Sequence, residues 1–522
     1  MQGLKKSAAG VKSCRVMSAS QSPIQKPRQA YLDRLRQRTA ALKGLESTEG
    51  RLSNARLLVF VGGAALAGYM FWGDRLHPAW LALPGLIFLV LVVVHDRIIR
   101  RLEHARQAVA HYEIGLERLA DRWQAHGITD DDIAPEDHPY AADLDLFGQG
   151  SLYQLLCAAR TRAGEEALAN WLLAPAPPEE VELRQAAVAE LADQLDLRED
   201  LALLGGGVRA AVRPSALVAW ADAPPSFQGA QGAAARVMAW LVPALATGAA
   251  VAWGVGMTNG LPLLAIFLFS AGLHRLAFTR LEQLTVGVDR AERDLVVLGR
   301  LLARLEGESF DAPLLARLSK LLAGGTPSAA KAIRGLSRLV SLHDSIKNAF
   351  FAPLGMLLMW SFHLGMALER WRLRHGRQVG AWLEAVGQLE ALASLAAYSY
   401  ERPDDIFPEL LPAHEGAPSF EAQGLGHPLL PRDRCVRNPV RLDAEQQLLV
   451  VSGSNMSGKS TLLRTVGINA VLAQAGAPVR ATLLRLSPLM PGATIRVQDS
   501  LQQGSSRFYQ EISQLKQLFD LA

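Results

Sequence analysis

Four uncharged apolar runs, two seven-residue apolar seams and a Gly-rich loop near the C-terminal end predict a mixed fold. The prediction is a mainly α-helical core and lever region with two transmembrane helical hairpins, followed by a partial α/β P-loop NTPase domain. A chain of 522 residues exceeds what a single hydrophobic core holds, so several domains are expected. Half of the residues are hydrophobic and the mean hydropathy is slightly positive, high for a chain that meets only water. The formal net charge of +4 permits contact with nucleic acid or anionic lipid without demanding it. Cys14, Cys157 and Cys435 lie too far apart in sequence for a zinc motif or a disulfide framework, and they fit a reducing compartment.

Residues 1–30 are rich in Ser, Ala, Lys and Gln and lack the apolar run of a secretory signal, so they read as a disordered tail. Residues 31–56 turn helical and carry many Arg and Lys, a basic helix. Residues 57–94 contain "LLVFVGGAALAGYMFW" and "AWLALPGLIFLVLVVV", joined by "GDRLHP". Each run is near the lower length limit for a spanning helix, and together they read as transmembrane hairpin 1. Arg51 and Arg56 precede the pair, while Arg97, Arg100 and Arg101 follow it, which puts both ends in the cytoplasm.

Residues 95–139 form a helical linker. Asp143 to Leu204, within the segment 140–235, is helical in pattern and broken by "APAPPEE". There, Pro in the first turn and acids at the positive end of the helix dipole start a new helix. Transmembrane hairpin 2 spans 236–274: Val237 to Gly254 and Leu261 to Leu273, joined by "VGMTNG", with Arg236 before and Arg275 and Arg280 after. For both pairs the competing reading is buried core helices. A fifth uncharged run, Ala349 to Leu368, contains Pro353, Ser361 and His363 between basic flanks, and reads as a buried or interfacial helix.

Residues 275–415 hold the seams. Leu281, Leu284, Val288, Ala291, Leu295, Leu298, Leu302 and Leu305 alternate by three and four, and so do Val379, Trp382, Val386, Leu389, Ala393 and Ala396. Two long helices with matching seams fit an antiparallel lever, and equally fit ordinary amphipathic core helices. Lys331, Arg334, Arg338 and Lys347 form a basic face that reaches DNA phosphates in one reading and is only solvated in the commoner one.

The chemistry lies in 416–522. "QLLVVS" (447–452) has strand length and leads into Gly453, Ser454, Asn455, Met456, Ser457, Gly458, Lys459 and Ser460, then Thr461 and an apolar helix to about Gln474. This is G-x-x-x-x-G-K-[ST] in the order strand, loop, helix. The glycines let the backbone wrap phosphates, and amides from Asn455 to Ser460 point at an anion at the helix N-terminus. Lys459 would reach the β- and γ-phosphates of ATP, and the Ser460 hydroxyl would coordinate Mg2+. Hydrolysis also needs an acid ending a second strand. Asp499, Glu511 and Asp520 do not end apolar strand-like runs, so a complete ATPase is not visible, and "QLKQLFDLA" stops in mid-helix, as in a fragment.

"SGSNMSGKSTLLRTVGINAVLAQAGAPVRA" resembles the ATPase domain of the MutS family of DNA mismatch repair proteins, through Asn455-Met456 inside the loop and the "GAPVRA" turn after the helix. "GLGHPLL" (424–430) is similar to the family's entry to that domain, and "DSLQQGSSRFYQEI" (499–512) to its signature loop, with Ser506, Phe508 and Glu511 on the matching positions. "LDLFGQGSLYQLL" is similar to the family's helical core, which makes 140–235 a MutS-like core and 275–415 its levers. The resemblance implies ATP and Mg2+ as cofactors, a homodimer through the ATPase domain in which Ser506 reaches the partner's nucleotide, and DNA as a partner. Two departures stand out. No mismatch-reading N-terminal domain is visible, and Cys435 occupies the position of the family's adenine-stacking aromatic, three residues before Asn438-Pro439. The expected protein is a membrane-anchored, C-terminally truncated MutS relative. It would sit at the cytoplasmic membrane, with the ATPase domain and both termini in the cytoplasm, and bind DNA as its nucleotide state changes shape. The alternative is an ATP-dependent membrane assembly protein with no DNA role.

Overall fold

In the computed structural model, which describes residues 24–73, 77–129, 138–204, 214–225, 229–285, 292–344, 351–412, 418–495 and single residues between 512 and 520, the chain is mostly helical with a small mixed sheet. Helix α1 (Gln25–Gly73) merges the basic segment and the first apolar run into 49 continuous residues. No proline interrupts this stretch after Pro27, and Gly62-Gly63 is tolerated within it. The helix starts before residue 31, so the expected tail is shorter by its last six positions, 25–30. A 3-10 turn at Pro78–Leu81 leads into α2 (Ala82–Leu119), which also runs through the predicted boundary at 94. α1 and α2 lie antiparallel: Phe60 meets Phe88 near the turn and Tyr31 meets Tyr112 at the far end.

The apolar ends of these helices are bare. Phe71 and Trp72 are each 89% exposed, and Leu58, Leu86 and Leu89 are also exposed. A soluble monomer rarely leaves so large an apolar face uncovered. The opposite ends are anchored. Arg34 and Arg38 pair with the buried Glu199, Arg34 also reaches Asp196, and the Tyr112 hydroxyl donates to Glu199. Arg34 and Arg38 are therefore committed to the protein, while Arg36 stays exposed beside Asp33.

The core begins with α3 (Leu152–Leu156), α4 (Arg162–Leu173), α5 (Pro178–Asp193), α6 (Leu195–Leu204) and α7 (Pro214–Asp222). Thr161 caps α4 by accepting the Gly164 N–H, and Pro178 with Glu179 and Glu180 starts α5 as the sequence predicts. Then α8 (Gly229–Gly254) and α9 (Leu261–Thr285) pack together with exposed apolar faces, Trp240, Leu264 and Leu268 among them. By length and composition, helices spanning Gln25–Trp72, Ala79–Leu119 and Gly232–Gly254 can cross a membrane, while Leu261–Leu276 is a shorter apolar helix.

α10 (Glu292–Glu306), α11 (Pro313–Ala323), α12 (Ala329–Asp344), α13 (Ala352–Leu357) and α14 (Trp360–Glu401) follow. The two seams do not form a stalk with each other. Leu295, Leu298, Leu302 and Leu305 are buried on α10, which packs chiefly on α12. The side chains of Leu281, Leu284, Val288 and Ala291 lie outside the described residues. Val379, Trp382, Val386, Leu389 and Ala396 are buried on α14, chiefly against α4 and α5. The described half of the first seam and the second seam are faces of core helices, the alternative the pattern allowed. Lys331, Arg334 and Arg338 stand exposed on α12; Lys347 lies outside the described residues.

The fifth apolar run is broken at Met359, whose φ of 50° separates α13 from α14. Met359 and Phe362 bury against Ala239 and Val242 of α8. Ser270 Oγ of α9 donates to the Met356 carbonyl at 2.5 Å, and His363 Nε2 lies 2.8 Å from the Ala239 carbonyl. This run forms two helical segments, partly buried and docked on the second apolar pair, with Leu354 still exposed.

Gly115 sets how closely α2 approaches α1. A Cβ there would lie 2.6 Å from Tyr31 Cε2. Gly115→Leu should destabilise the protein by about 1–3 kcal/mol through overpacking, read as a lowered thermal unfolding midpoint, whereas Gly68→Leu, in open space, should leave it unchanged.

Candidate nucleotide-binding site

After α14 the chain forms β1 (Glu409–Leu410), β2 (Phe420–Leu425), β3 (Asn438–Leu442), helix α15 (Lys459–Ala475) and β4 (Leu483–Leu486). The sheet order is β1-β4-β2-β3; β1 and β4 are parallel and the other pairs antiparallel. The strand expected at 447–452 is not formed. Its backbone has no ladder partner among the described residues, and Leu448 and Val450 are each 77% exposed. An apolar run becomes a strand only when a neighbour takes its hydrogen bonds.

The loop and helix do form. Gly458, at φ 88°, caps α15, and a Cβ there would meet nothing within 4 Å, so its backbone rather than crowding calls for glycine. Met456 also takes a positive φ of 65° and its side chain is fully exposed. Lys459 Nζ folds over the loop, donating to the carbonyls of Gly453 at 2.8 Å and Ser454 at 2.6 Å. The Ser457 N–H donates to the Ser454 carbonyl at 3.3 Å. Gly453, Ser454, Asn455, Ser457, Ser460 and Thr461 face solvent at the N-terminal end of α15, where unpaired N–H groups favour an anion. This donor set fits nucleotide phosphates. The Ser460 hydroxyl is exposed, and no group of three or more metal-ligating residues occurs among the described residues.

α15 is held from below. Arg464 Nε donates to the Asp143 carbonyl at 2.9 Å and its Nη1 pairs with Asp145 at 3.2 Å, which ties the helix to the "LDLF" turn. Gly467 allows this, since a Cβ there would sit 2.7 Å from Leu144. Asn469 donates to the Gly426 carbonyl at 3.0 Å and accepts the Arg480 N–H at 3.0 Å. Arg480, only 1% exposed, donates through Nη1 to the carbonyls of Leu430 (2.7 Å) and His427 (3.3 Å), and its Nε faces Asp405 at 3.5 Å. Asp405 in turn accepts from the Tyr398 hydroxyl of α14 at 3.0 Å. Burial, with Arg464 and Arg480 nearby, pushes the His427 imidazole down to about 4. Sequence reasoning quoted "GLGHPLL" and "GAPVRA" as motifs but missed Asn469, His427, Asp405 and Arg480 as one cluster. The available signal was an arginine inside an otherwise apolar turn.

Residues 449–522 match the family model described as MutS domain V. Similar proteins include the human "DNA mismatch repair protein Msh6", 32% identical over 151 residues, a match covering 25% of this chain and 11% of that protein. "Endonuclease MutS2" of Thermus thermophilus is 33% identical over 156 residues, covering 29% of this chain and 19% of the relative. "DNA mismatch repair protein MutS" of Natronomonas pharaonis is 34% identical over 146 residues, covering 26% and 16%. The C-terminal part of the chain is similar to MutS-family proteins over these residues. The matches span less than a fifth of these relatives' length.

Cys435, upstream of the matched residues, is half-buried and turned inward. Its Sγ donates to the His427 carbonyl at 3.7 Å and sits where a Cβ on Gly426 would lie 2.7 Å away. Ser506, Phe508 and Glu511 lie outside the described residues, so the structure does not bring them to the loop.

The cluster makes two predictions. Asn469→Ala strands buried backbone groups and should cost about 1–3 kcal/mol per stranded group in chemical unfolding. His427 is neutral in the fold, so its contribution is complete above pH 6.5 and lost as pH falls towards 4. His427→Asn should therefore flatten the acid side of the stability profile relative to wild type across that window.

Proposed function

We propose that this protein is a membrane-anchored, MutS-like ATP-binding protein whose nucleotide state alters its conformation on DNA. The observation that carries the reading is the Gly453–Thr461 loop at the start of α15 inside the segment matched by MutS domain V. Lys459 and the α15 amides would hold the β- and γ-phosphates, and Ser460 would hold Mg2+, which neutralises charge on the phosphates when bound. The relatives' names carry the DNA role: two are described as mismatch repair proteins. The bare apolar faces of α1, α2 and α8 support the anchor. A homodimer through the ATPase domain, with Ser506 reaching the partner's nucleotide, belongs to the same reading.

A second reading drops DNA and has the ATP-driven change act on a membrane assembly. It rests on α14, 42 residues long, whose start packs on α8 and whose end adjoins the Asp405–Arg480 pair. A rigid helix of about 60 Å thus links the second apolar pair to the nucleotide domain.

Lys459→Ala should abolish ATP binding in an equilibrium titration; retained binding near wild-type affinity contradicts use of the loop. Binding to homoduplex, mismatched and branched DNA should weaken steeply with salt. No salt-sensitive binding to any of them removes the DNA role and leaves the membrane reading.

A further inference from the structure

Where the α1–α2 stem meets the core there is a cavity of about 410 Å3, within the range of small-molecule sites. Its walls come from α2, α6, α14 and the segment before α4. It lies well away from the Gly453–Thr461 loop in sequence and shares no residue with it.

The charge on its walls is unbalanced. Arg118, Arg160 and Arg198 line it, against Glu390 and Glu401. Glu401 is neutralised by Arg118, whose Nε donates to it at 2.7 Å. Glu390 is occupied as a cap: it accepts the N–H groups of Arg160 (2.9 Å) and Thr161 (3.2 Å) and the Thr161 hydroxyl. Burial raises its pKa to about 7, so at neutral pH it is only partly ionised. Arg198 is buried, with Nη1 on the Ala396 carbonyl and its guanidinium 4.8 Å from the Tyr400 ring centroid, but its Nε has no hydrogen-bond partner. Arg118 Nη2 is likewise buried without a partner. Arg160 stands exposed at the rim. The His111 imidazole in the wall is held down to about 4, first by burial and then by Arg160 and Arg198.

Arg160 and Arg198, which form no ion pair with a carboxylate among the described residues, leave positive charge at a cavity this size that calls for an anion with hydrogen-bond acceptors. Trp123, Ile128 and Ala393 give the remaining wall an apolar character. A lipid headgroup is out of reach, because His111 is 17 residues past Val94, the end of the apolar run, or about 25 Å along α2. We propose that this cavity binds a small soluble anion, carrying phosphate or carboxylate groups, between the hairpin stem and the core. Such a ligand would bridge α2, α6 and α14 and stiffen the joint between anchor and core.

The test uses the full chain in detergent with Lys459→Ala in place, so that the phosphate loop contributes nothing and its own reading stands or falls separately. Calorimetric titration with inorganic phosphate, pyrophosphate, AMP and citrate should show binding of at least one probe, with citrate separating carboxylate from phosphate recognition. Arg160→Gln, an exposed position that should leave the unfolding midpoint unchanged, should weaken that binding about tenfold, the loss of one charge-assisted hydrogen bond. Ala158→Trp, which fills the exposed rim, should abolish it. No binding of any probe, or binding unchanged by either substitution, overturns the proposal.

Discussion

One buried arginine fixes how the nucleotide loop sits on the rest of the molecule. Arg480 lies on the turn after α15 and is almost wholly removed from water. Its backbone N–H is taken by Asn469, its Nη1 by two carbonyls after β2, and its charge faces Asp405 beyond α14. A buried ion pair adds little net stability over an apolar isostere, but removing one partner leaves a charge stranded, which is strongly destabilising. Asp405 holds the Arg480 charge in place, both Coulombic attraction and the fold keeping the guanidinium protonated despite its burial. The cluster thereby sets the register among α14, the sheet and the helix that starts at Lys459.

That register has mechanical consequences. α14 is packed along its length by α4, α5 and α7, with Gly387 and Gly376 admitting the backbone of α4 and of the α7 end at close range. Its first turns are locked to α8 and α9, and its last turn meets Tyr31 and Arg118 of the stem through Glu401. Both apolar helix pairs therefore join one rod, which ends beside the nucleotide segment. A movement of α15 transmitted through Asn469 and Arg480 would act on that rod rather than on a loose linker. The anion cavity occupies the same junction, where α2 crosses α14.

The sequence made some of this plain and hid the rest for physical reasons. Apolar runs without charge are self-evident because their signal is local, and the runs at 57–72, 82–94 and 237–254 lie within helices, though each helix extends beyond its run. The Gly-rich loop is legible for the same reason: Gly458 and Lys459 act within a few residues of each other. Partner choice is not local. The alternating seams say which face of a helix is apolar but not what covers it: Leu295 to Leu305 face α12, and the α14 seam faces α4 and α5. The run "QLLVVS" has strand chemistry without a strand neighbour. The polar cluster was invisible because Asp405, His427, Asn469 and Arg480 are each unremarkable alone and meet only in the folded chain.

The central claim is that both apolar pairs cross a membrane from the side on which the nucleotide segment lies. Single cysteines at His77, Asn259 and Leu448, in a chain with Cys14, Cys157 and Cys435 replaced, place each site by labelling with an impermeant maleimide before and after lysis of sealed vesicles. The account predicts that His77 and Asn259, at the two hairpin turns, label from the same face. Leu448, beside the phosphate loop, should label only from the other. Labelling of Leu448 from the same face as either turn would contradict it.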